Sequence, residues 1–429
     1  MAERRPDGLR AYAAVTAAYW AFMLTDGALR MLVLLHFNAL GFTPVQLAWL
    51  FLLYELAGIV TNLAAGWIAA RFGLAATLRG GLALQIAALV ALAQLDPSWG
   101  IGASVAFVMA VQGASGVAKD LAKMSAKSAV KLLAPSSEAA LFRWVAALTG
   151  SKNAVKGLGF FAGAALLAMA GFAGAVWGMA AVLAAILVAV ALFLPPGLPA
   201  GSKDAQFTSV WSTDARVNRL SLARMFLFGA RDVWFVVGVP VYFQMVLSDG
   251  TPEGRRWAFF MVGGFMALWI IAYGGVQGLV PKLLRAEGRP ETDGETEIVA
   301  KAIRWAGYLV PIPLALAGAA LVSGGPSPWL TATLVAGLLL FGFVFAVNSS
   351  VHSYLILAFS KAERVSMDVG FYYMANAAGR LFGTLLSGLS YQQGGLPLCL
   401  ATAGALAAAG WVATRRLRVH TGAAGQPGP

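Results

Sequence analysis

The sequence predicts an all-α membrane protein of twelve transmembrane helices in two six-helix bundles, with both termini cytoplasmic. Three observations predict it. Of 429 residues, 59% are hydrophobic and 12% charged, with a mean hydropathy of +0.74, whereas soluble domains carry about 25% charged residues. The apolar residues fall into twelve runs, each long enough or nearly so for the roughly 20 residues that cross a bilayer. Lys and Arg crowd into connections on one side, the bias that sets orientation.

In chain order the predicted spans are 12–38, 46–70, 76–95, 101–133, 139–168, 173–194, 218–247, 258–284, 305–322, 329–359, 366–391 and 396–414. Turn chemistry separates them: Gly41 to Pro44, Asp96-Pro97, Ala134-Pro135-Ser136 and Gly324-Gly325-Pro326. The longest connection, 195–217, holds Pro195-Pro196, Pro199 and Gly201 and reads as a cytoplasmic linker. It divides an N-terminal bundle, 1–194, from a C-terminal bundle, 218–429, that ends in a short disordered tail from Gly422. Twelve spans leave no room for a large soluble domain. Met1 to Arg10 is polar and basic and the first apolar run is too long for an h-region, so no cleavable signal peptide is expected.

Arg4, Arg5 and Arg10 share a side with Arg71 and Arg79, Lys131 and Arg143, Lys203, Arg216 and Arg219. The basic residues from Lys282 to Arg304, Lys361 and Arg364, and Arg415 to Arg418 follow on that side; only Arg255 and Arg256 oppose them. The acidic stretch Glu287 to Glu297 reads as a solvated loop. The net charge of +12 is thus membrane-side and intramembrane charge, and no nucleic-acid partner is expected. The single cysteine, Cys399, excludes an intrachain disulfide and a multi-thiolate metal or metalloid site. There is no phosphate-binding Gly-x-x-x-x-Gly-Lys run, nucleophile elbow or metal-ligand cluster. No cofactor, metal or catalytic residue is expected.

The halves are weakly similar. Asn153-Ala154-Val155-Lys156-Gly157 in the fifth span matches Asn376-Ala377-Ala378-Gly379-Arg380 in the eleventh: an Asn, then a cation and a Gly within about one turn. Such repeats mark transporter folds, with the site near mid-membrane. Ionisable residues are missing from the interiors of the third, sixth, ninth and twelfth spans. A cation facing lipid at mid-bilayer costs about 2.5–3.5 kcal/mol, so the charged spans should surround a polar path.

Asp26, Lys152, Arg231 and Arg380 each lie about fourteen residues, roughly 20 Å, into spans rising from the cytoplasm. Three cations and one carboxylate at one level suit an anion, which guanidinium groups grip bidentately. Arg30 follows Asp26 by four residues, on the same face; it is either an internal ion pair with Asp26 or a substrate grip oriented by it. Arg231 is expected to contact substrate, because the adjacent Asp232 points about 100° away. Arg380 is too far from Asp368 to pair within its helix, and either binds substrate or closes a gate against the other half. Lys119, Lys123, Lys127 and Lys131 form a stripe, supported by Ser115, Ser125 and Ser128. The outer two read as snorkelling lysines, while Lys119 and Lys123 read as an anion funnel. Lys156, Asn348, His352 and Asn376 complete the expected binding set; Ser349, Ser350 and Ser353 share the polar row of the tenth span, where packing is the alternative role. Asp26, Glu55, Asp232 and Asp368 are the candidate coupling or gating carboxylates, Glu55 being either paired or a proton carrier.

Six plus six spans with a central linker resemble the major facilitator superfamily. Gly66-Trp67-Ile68-Ala69-Ala70-Arg71-Phe72-Gly73 is similar to that superfamily's loop signature, but has Ala70 where an Asp is usual and lacks the following basic residues at Leu74 and Ala75. Arg30 and Arg231 resemble the arginine pair of organophosphate/phosphate antiporters. A narrower resemblance rests on Tyr19-Trp20-Ala21-Phe22, Leu24-Thr25-Asp26-Gly27-Ala28-Leu29-Arg30-Met31, Lys119-Asp120-Leu121 and Lys123 to Ala129. It continues in Leu148 to Asn153, Phe228-Gly229-Ala230-Arg231-Asp232-Val233-Trp234-Phe235 and Gly370 to Arg380. These runs resemble the ArsJ-type organoarsenical efflux permeases. The resemblance implies a monomeric, multi-pass protein of the bacterial cytoplasmic (inner) membrane that exports 1-arseno-3-phosphoglycerate and confers arsenate resistance. It also implies a functional partner, a glyceraldehyde-3-phosphate dehydrogenase that forms the ester. The alternatives are an organophosphate/phosphate exchanger, a membrane enzyme acting on phospholipid headgroups, for which no acid/base or nucleophile set is apparent, and a scaffold.

Overall fold

The computed structural model describes residues 6–133, 138–194, 212, 214–285, 295–360 and 365–417. Most of the predicted linker, the tail, much of the Glu287 to Glu297 stretch and several orientation residues, Arg4, Arg5, Lys203, Arg289, Lys361, Arg364 and Arg418, lie outside the described residues, as do the side chains of Lys127, Ser128, Lys131 and Arg143.

The described chain is helical: α1 (Pro6–Ala39), α2 (Pro44–Leu50), α3 (Leu52–Phe72), α4 (Leu74–Leu92), α5 (Ile101–Leu133), α6 (Glu138–Phe193), α7 (Ala215–Val233), α8 (Val239–Leu247), α9 (Pro252–Arg285), α10 (Glu295–Leu309), α11 (Pro311–Ser323), α12 (Pro328–Phe359) and α13 (Val365–Arg415). Among the described residues, ten helical stretches are long and apolar enough to cross a membrane. Two of them, Gly150–Phe193 and Asp368–Arg415, run 44 and 48 residues, about twice one crossing. Each is broken by glycine: Gly171 at φ 69° in α6, and Gly394 followed by Gly395 at φ 59° in α13. Only glycine enters that left-handed region without strain, and both breaks fall where the sequence predicts a connection. Large apolar side chains such as Met169 and Leu192 of α6 and Val322 of α11 are exposed, as suits helices that face lipid.

Two departures from the predicted spans bear on the charges and on the backbone. The predicted span 305–322 begins at Glu295 in the structure, so Lys301 and Arg304 are helical rather than loop residues. Lys301 is buried beside Val299, Ala302 and Ile303, paired at 3.3 Å with Glu297; the amphipathic first turns of α10 had disguised it as loop. The predicted span 218–247 is interrupted by a π-helical turn, Trp234–Gly238. A wider turn leaves backbone donors unmet, and Ser387 Oγ of α13 accepts from the amides of Val237 and Gly238, both at 3.1 Å.

The chain forms two compact units: Met1–Phe42, Trp49–Thr208 and Leu247–Gly274 make unit 1, and Thr43–Ala48, Ser209–Val246 and Gly275–Pro429 make unit 2. In unit 1, α1 lies along α6, and α5 takes α3 and α4. Small residues set the spacing: Gly159 and Gly163 of α6 face the backbone of Leu24 and Ala28, and Gly116 of α5 faces that of Tyr54. In unit 2, α7 lies along α13, where Gly379 and Gly383 face the backbone of Met225 and Gly229. In both units, then, a pair of glycines four residues apart seats the unit's first long helix against a later one.

Candidate functional site

The close seating of α1 on α6 brings ionisable groups together in unit 1. Asp26, with a side chain only 1% exposed, binds Lys156 Nζ at 2.7 Å through Oδ2 and accepts the Tyr54 hydroxyl at 2.6 Å through Oδ1. Lys119 Nζ sits 4.1 Å above the Tyr54 ring, close enough to Asp26 and Asp120 to act on both. Asp120 accepts the Thr61 hydroxyl at 2.5 Å and binds Lys123 at 2.6 Å, and Lys123 also reaches Asn62 Oδ1 at 2.6 Å. One turn along α1 from Asp26, Arg30 pairs with Glu55 of α3 at 2.9 Å, its guanidinium over the rings of Phe51 and Tyr54.

In unit 2, the seam of α7 and α13 does the same. Asp232, 1% exposed, is shared by two guanidinium groups: Arg231 Nε donates to its Oδ1 at 2.6 Å, and Arg380 Nε to its Oδ2 at 3.3 Å. Phe228, Phe235 and Phe345 surround Arg231. Two turns earlier, Arg224 donates from Nε to Asn376 Oδ1 at 3.1 Å and from Nη1 to the Ser349 carbonyl and hydroxyl at 3.0 and 2.9 Å.

Several expectations are corrected by this geometry. Arg30 pairs with Glu55 and not with Asp26, because α3 presents a carboxylate nearer than the helix's own. Arg231 does have a local partner: a guanidinium on a flexible stem swings back to Asp232 across the 100° separation. Arg380 closes on Asp232 of its own unit, so no gate against the other half is needed to account for it. Lys156, one turn beyond Lys152, meets Asp26. Lys123 is tied between Asp120 and Asn62, a fixed strut more than a funnel wall. Asn348 and His352, each 1% exposed, line a cavity of about 10 Å³ with Ala223, Leu227, Gly410 and Trp411. That is room for one water and no substrate. Both His352 nitrogens and Asn348 Oδ1 have no hydrogen-bond partner among the described residues. Asp368 is buried near the start of α13 and pairs with no cation among the described residues.

The sequence reading missed Arg224, Tyr54, Thr61 and Asn62 as site residues. Arg224 had a signal: it precedes Arg231 by seven residues, two turns on one face. Tyr54 had none, since a tyrosine beside Glu55 is unremarkable until α1 is laid against it.

No protein-family model and no curated protein matches the chain. Among solved structures it is similar to the nucleoside transporter NupG (TM-score 0.69, 15% identity, covering 95% of this chain and 99% of that one). It is also similar to a POT family transporter in complex with a thioalcohol-conjugated peptide (TM-score 0.72, 13% identity, 97% of each chain). A third is a bacterial homologue of the iron transporter ferroportin in an inward-facing state (TM-score 0.66, 13% identity, 95% and 98%). At these identities the likeness shows the fold alone: the chain has the many-helix membrane fold that these proteins share.

Proposed function

We propose that the protein is a secondary transporter that carries a small phosphorylated anion out of the cytoplasm. The observation that carries this reading is that, among the described residues, buried and largely buried cations outnumber the carboxylates they gather around in each unit. In unit 1, Arg30, Lys119, Lys123 and Lys156 gather around three carboxylates, Asp26, Glu55 and Asp120. In unit 2, Arg231 and Arg380 share the single Asp232, and Arg224 stands two turns away. Net positive charge in a low-dielectric interior is costly and is offset when an anion enters. The fold, that of proteins named as transporters, supports the class of function.

The finer reading follows the ArsJ-type resemblance: the substrate is 1-arseno-3-phosphoglycerate, formed by a partner glyceraldehyde-3-phosphate dehydrogenase, and its export confers arsenate resistance. Twelve crossings, obtained by counting the broken stretches of α6 and α13 twice, would place both termini in the cytoplasm of a bacterial cell and the protein in its inner membrane. Outward movement of one negative charge gains about 2.3 kcal/mol per 100 mV when the cytoplasm is negative.

Inside-out vesicles should accumulate arsenic only when arsenate, glyceraldehyde 3-phosphate, NAD and the dehydrogenase are all present outside, and omission of any one should stop uptake. Equal accumulation from arsenate or arsenite alone would refute the organoarsenical assignment. An arsenite carrier would also need thiolates. Cys399 is fully buried, its thiol donating to the Val233 carbonyl at 3.2 Å. Cys399→Ala is therefore expected to lower stability by about 1 kcal/mol and to leave transport per folded molecule unchanged. Lost transport at normal abundance would show thiol chemistry instead.

A further inference from the structure

We propose that Arg224 is the centre of an oxyanion-binding site in unit 2 that takes the phosphoryl group of a phosphate monoester; this rests on the anion-transport reading above. Arg30, Lys123, Lys156, Arg231 and Arg380 each meet a carboxylate. Arg224 meets none among the described residues. It is 5% exposed, and its acceptors are the neutral Asn376 amide oxygen and the Ser349 carbonyl and hydroxyl. Aromatic rings cover it, Phe228 at 4.1 Å and Tyr372 at 5.0 Å. Neutral hydrogen bonds orient a guanidinium without cancelling its charge, and an uncompensated charge inside a protein is costly to keep. An arginine held this way is short of one anion.

The neighbours suit a tetrahedral oxyanion. Arg224 comes from α7, Ser349 from α12 and Asn376 from α13, so polar groups approach from three helices. Asn376 gives its oxygen to Arg224, and its amide nitrogen carries two N–H donors. Gln277 of α9 brings a further amide to within 3.5 Å of Ser349 Oγ. Guanidinium, hydroxyl and amide donors together match the several oxygens of a phosphoryl group.

The competing explanation is a structural one, in which Arg224 only ties α7 to α12 and α13. Asn376→Asp separates the two. A carboxylate at 376 would pair with Arg224, strengthening a tie while filling the charge that a ligand would otherwise fill. The experiment follows the thermal midpoint of the full-length protein in detergent against glycerol 3-phosphate, a simple monoester probe. Wild type should be stabilised in a saturable way. Asn376→Asp should melt at or above the wild-type midpoint without ligand and bind the probe at least tenfold more weakly. Arg224→Lys, which keeps the charge but loses the fork, should also bind at least tenfold more weakly. Wild-type affinity in Asn376→Asp, or in Arg224→Lys should the former not fold, would overturn the Arg224 site and leave the transport proposal standing. A wild type indifferent to the probe would overturn both. Stabilisation by phosphatidylglycerol in place of the soluble ester, lost in Asn376→Asp, would reassign the site to lipid headgroups and overturn the proposal as stated.

Discussion

Replacing Asp232 with Asn is expected to be the most damaging single change in unit 2. The carboxylate is 1% exposed and is the only one that Arg231 and Arg380 are seen to share. Asparagine has nearly the same shape but no charge, so two guanidinium groups lose their counter-ion at once. Removing one partner of a buried ion pair costs about 3–5 kcal/mol, and here two cations are also left to repel each other. Arg231→Gln or Arg380→Gln should cost less, because the remaining arginine still satisfies Asp232. The Asp232→Asn, Arg380→Gln double variant should recover part of the loss, since it returns the net charge at the seam of α7 and α13 to its wild-type value. Thermal midpoints of wild type, the Asp232→Asn and Arg380→Gln single variants and the double variant in detergent form the cycle, and a coupling energy below about 0.5 kcal/mol would mean that Asp232 and Arg380 act independently. Transport should fail in Asp232→Asn even in the fraction that folds, because the cation pair would be held open.

Much of this arrangement was legible in the sequence and part of it was not. The helix breaks were, because glycine is the residue that turns a chain cheaply: Gly171 and Gly394-Gly395 lie in the predicted gaps. The repeat was legible too. Asn153 to Gly157 and Asn376 to Arg380 look alike, and the structure gives their cations the same duty, Lys156 on Asp26 and Arg380 on Asp232. The pairings across helices were hidden. Counting residues from a membrane edge gives depth but no azimuth. Arg30, four residues after Asp26 on the same face of α1, reads in the sequence as either its ion-pair partner or a substrate grip, whereas the neighbouring helices give Arg30 to Glu55 and Asp26 to Lys156. Depth also drew attention to one level of the membrane and away from Arg224, which is buried two turns nearer the start of α7. The start of α10 was hidden for another reason: charged residues on the exposed face of an amphipathic helix look the same in sequence as those of a loop.

The glycine seams explain why the charges can meet at all, and substitution there should be nearly as damaging as loss of Asp232. A Cβ built on Gly163 would fall on the carbonyl of Ala28, and one on Gly379 on the carbonyl of Met225. These obstacles are backbone, which cannot swing aside as a side chain can. Even one methyl at either position forces α1 from α6, or α7 from α13, at a cost on the order of 3 kcal/mol. Gly163→Leu and Gly379→Leu should prevent accumulation of folded protein altogether. The displacement would also stretch the 2.7 Å Lys156–Asp26 bond in the first case and the 3.3 Å Arg380–Asp232 bond in the second. Any Gly163→Ala or Gly379→Ala protein that folds should therefore transport poorly. Gly178 is the control. It lies in the same helix as Gly163 but has open space where its Cβ would be, so Gly178→Ala should be neutral or stabilising by up to about 1 kcal/mol through its better helix propensity. Membrane abundance and thermal midpoints of the three alanine variants give the comparison. If all three behave alike, the seams are not what set the distance between these helices, and the charge clusters must be assembled by other contacts.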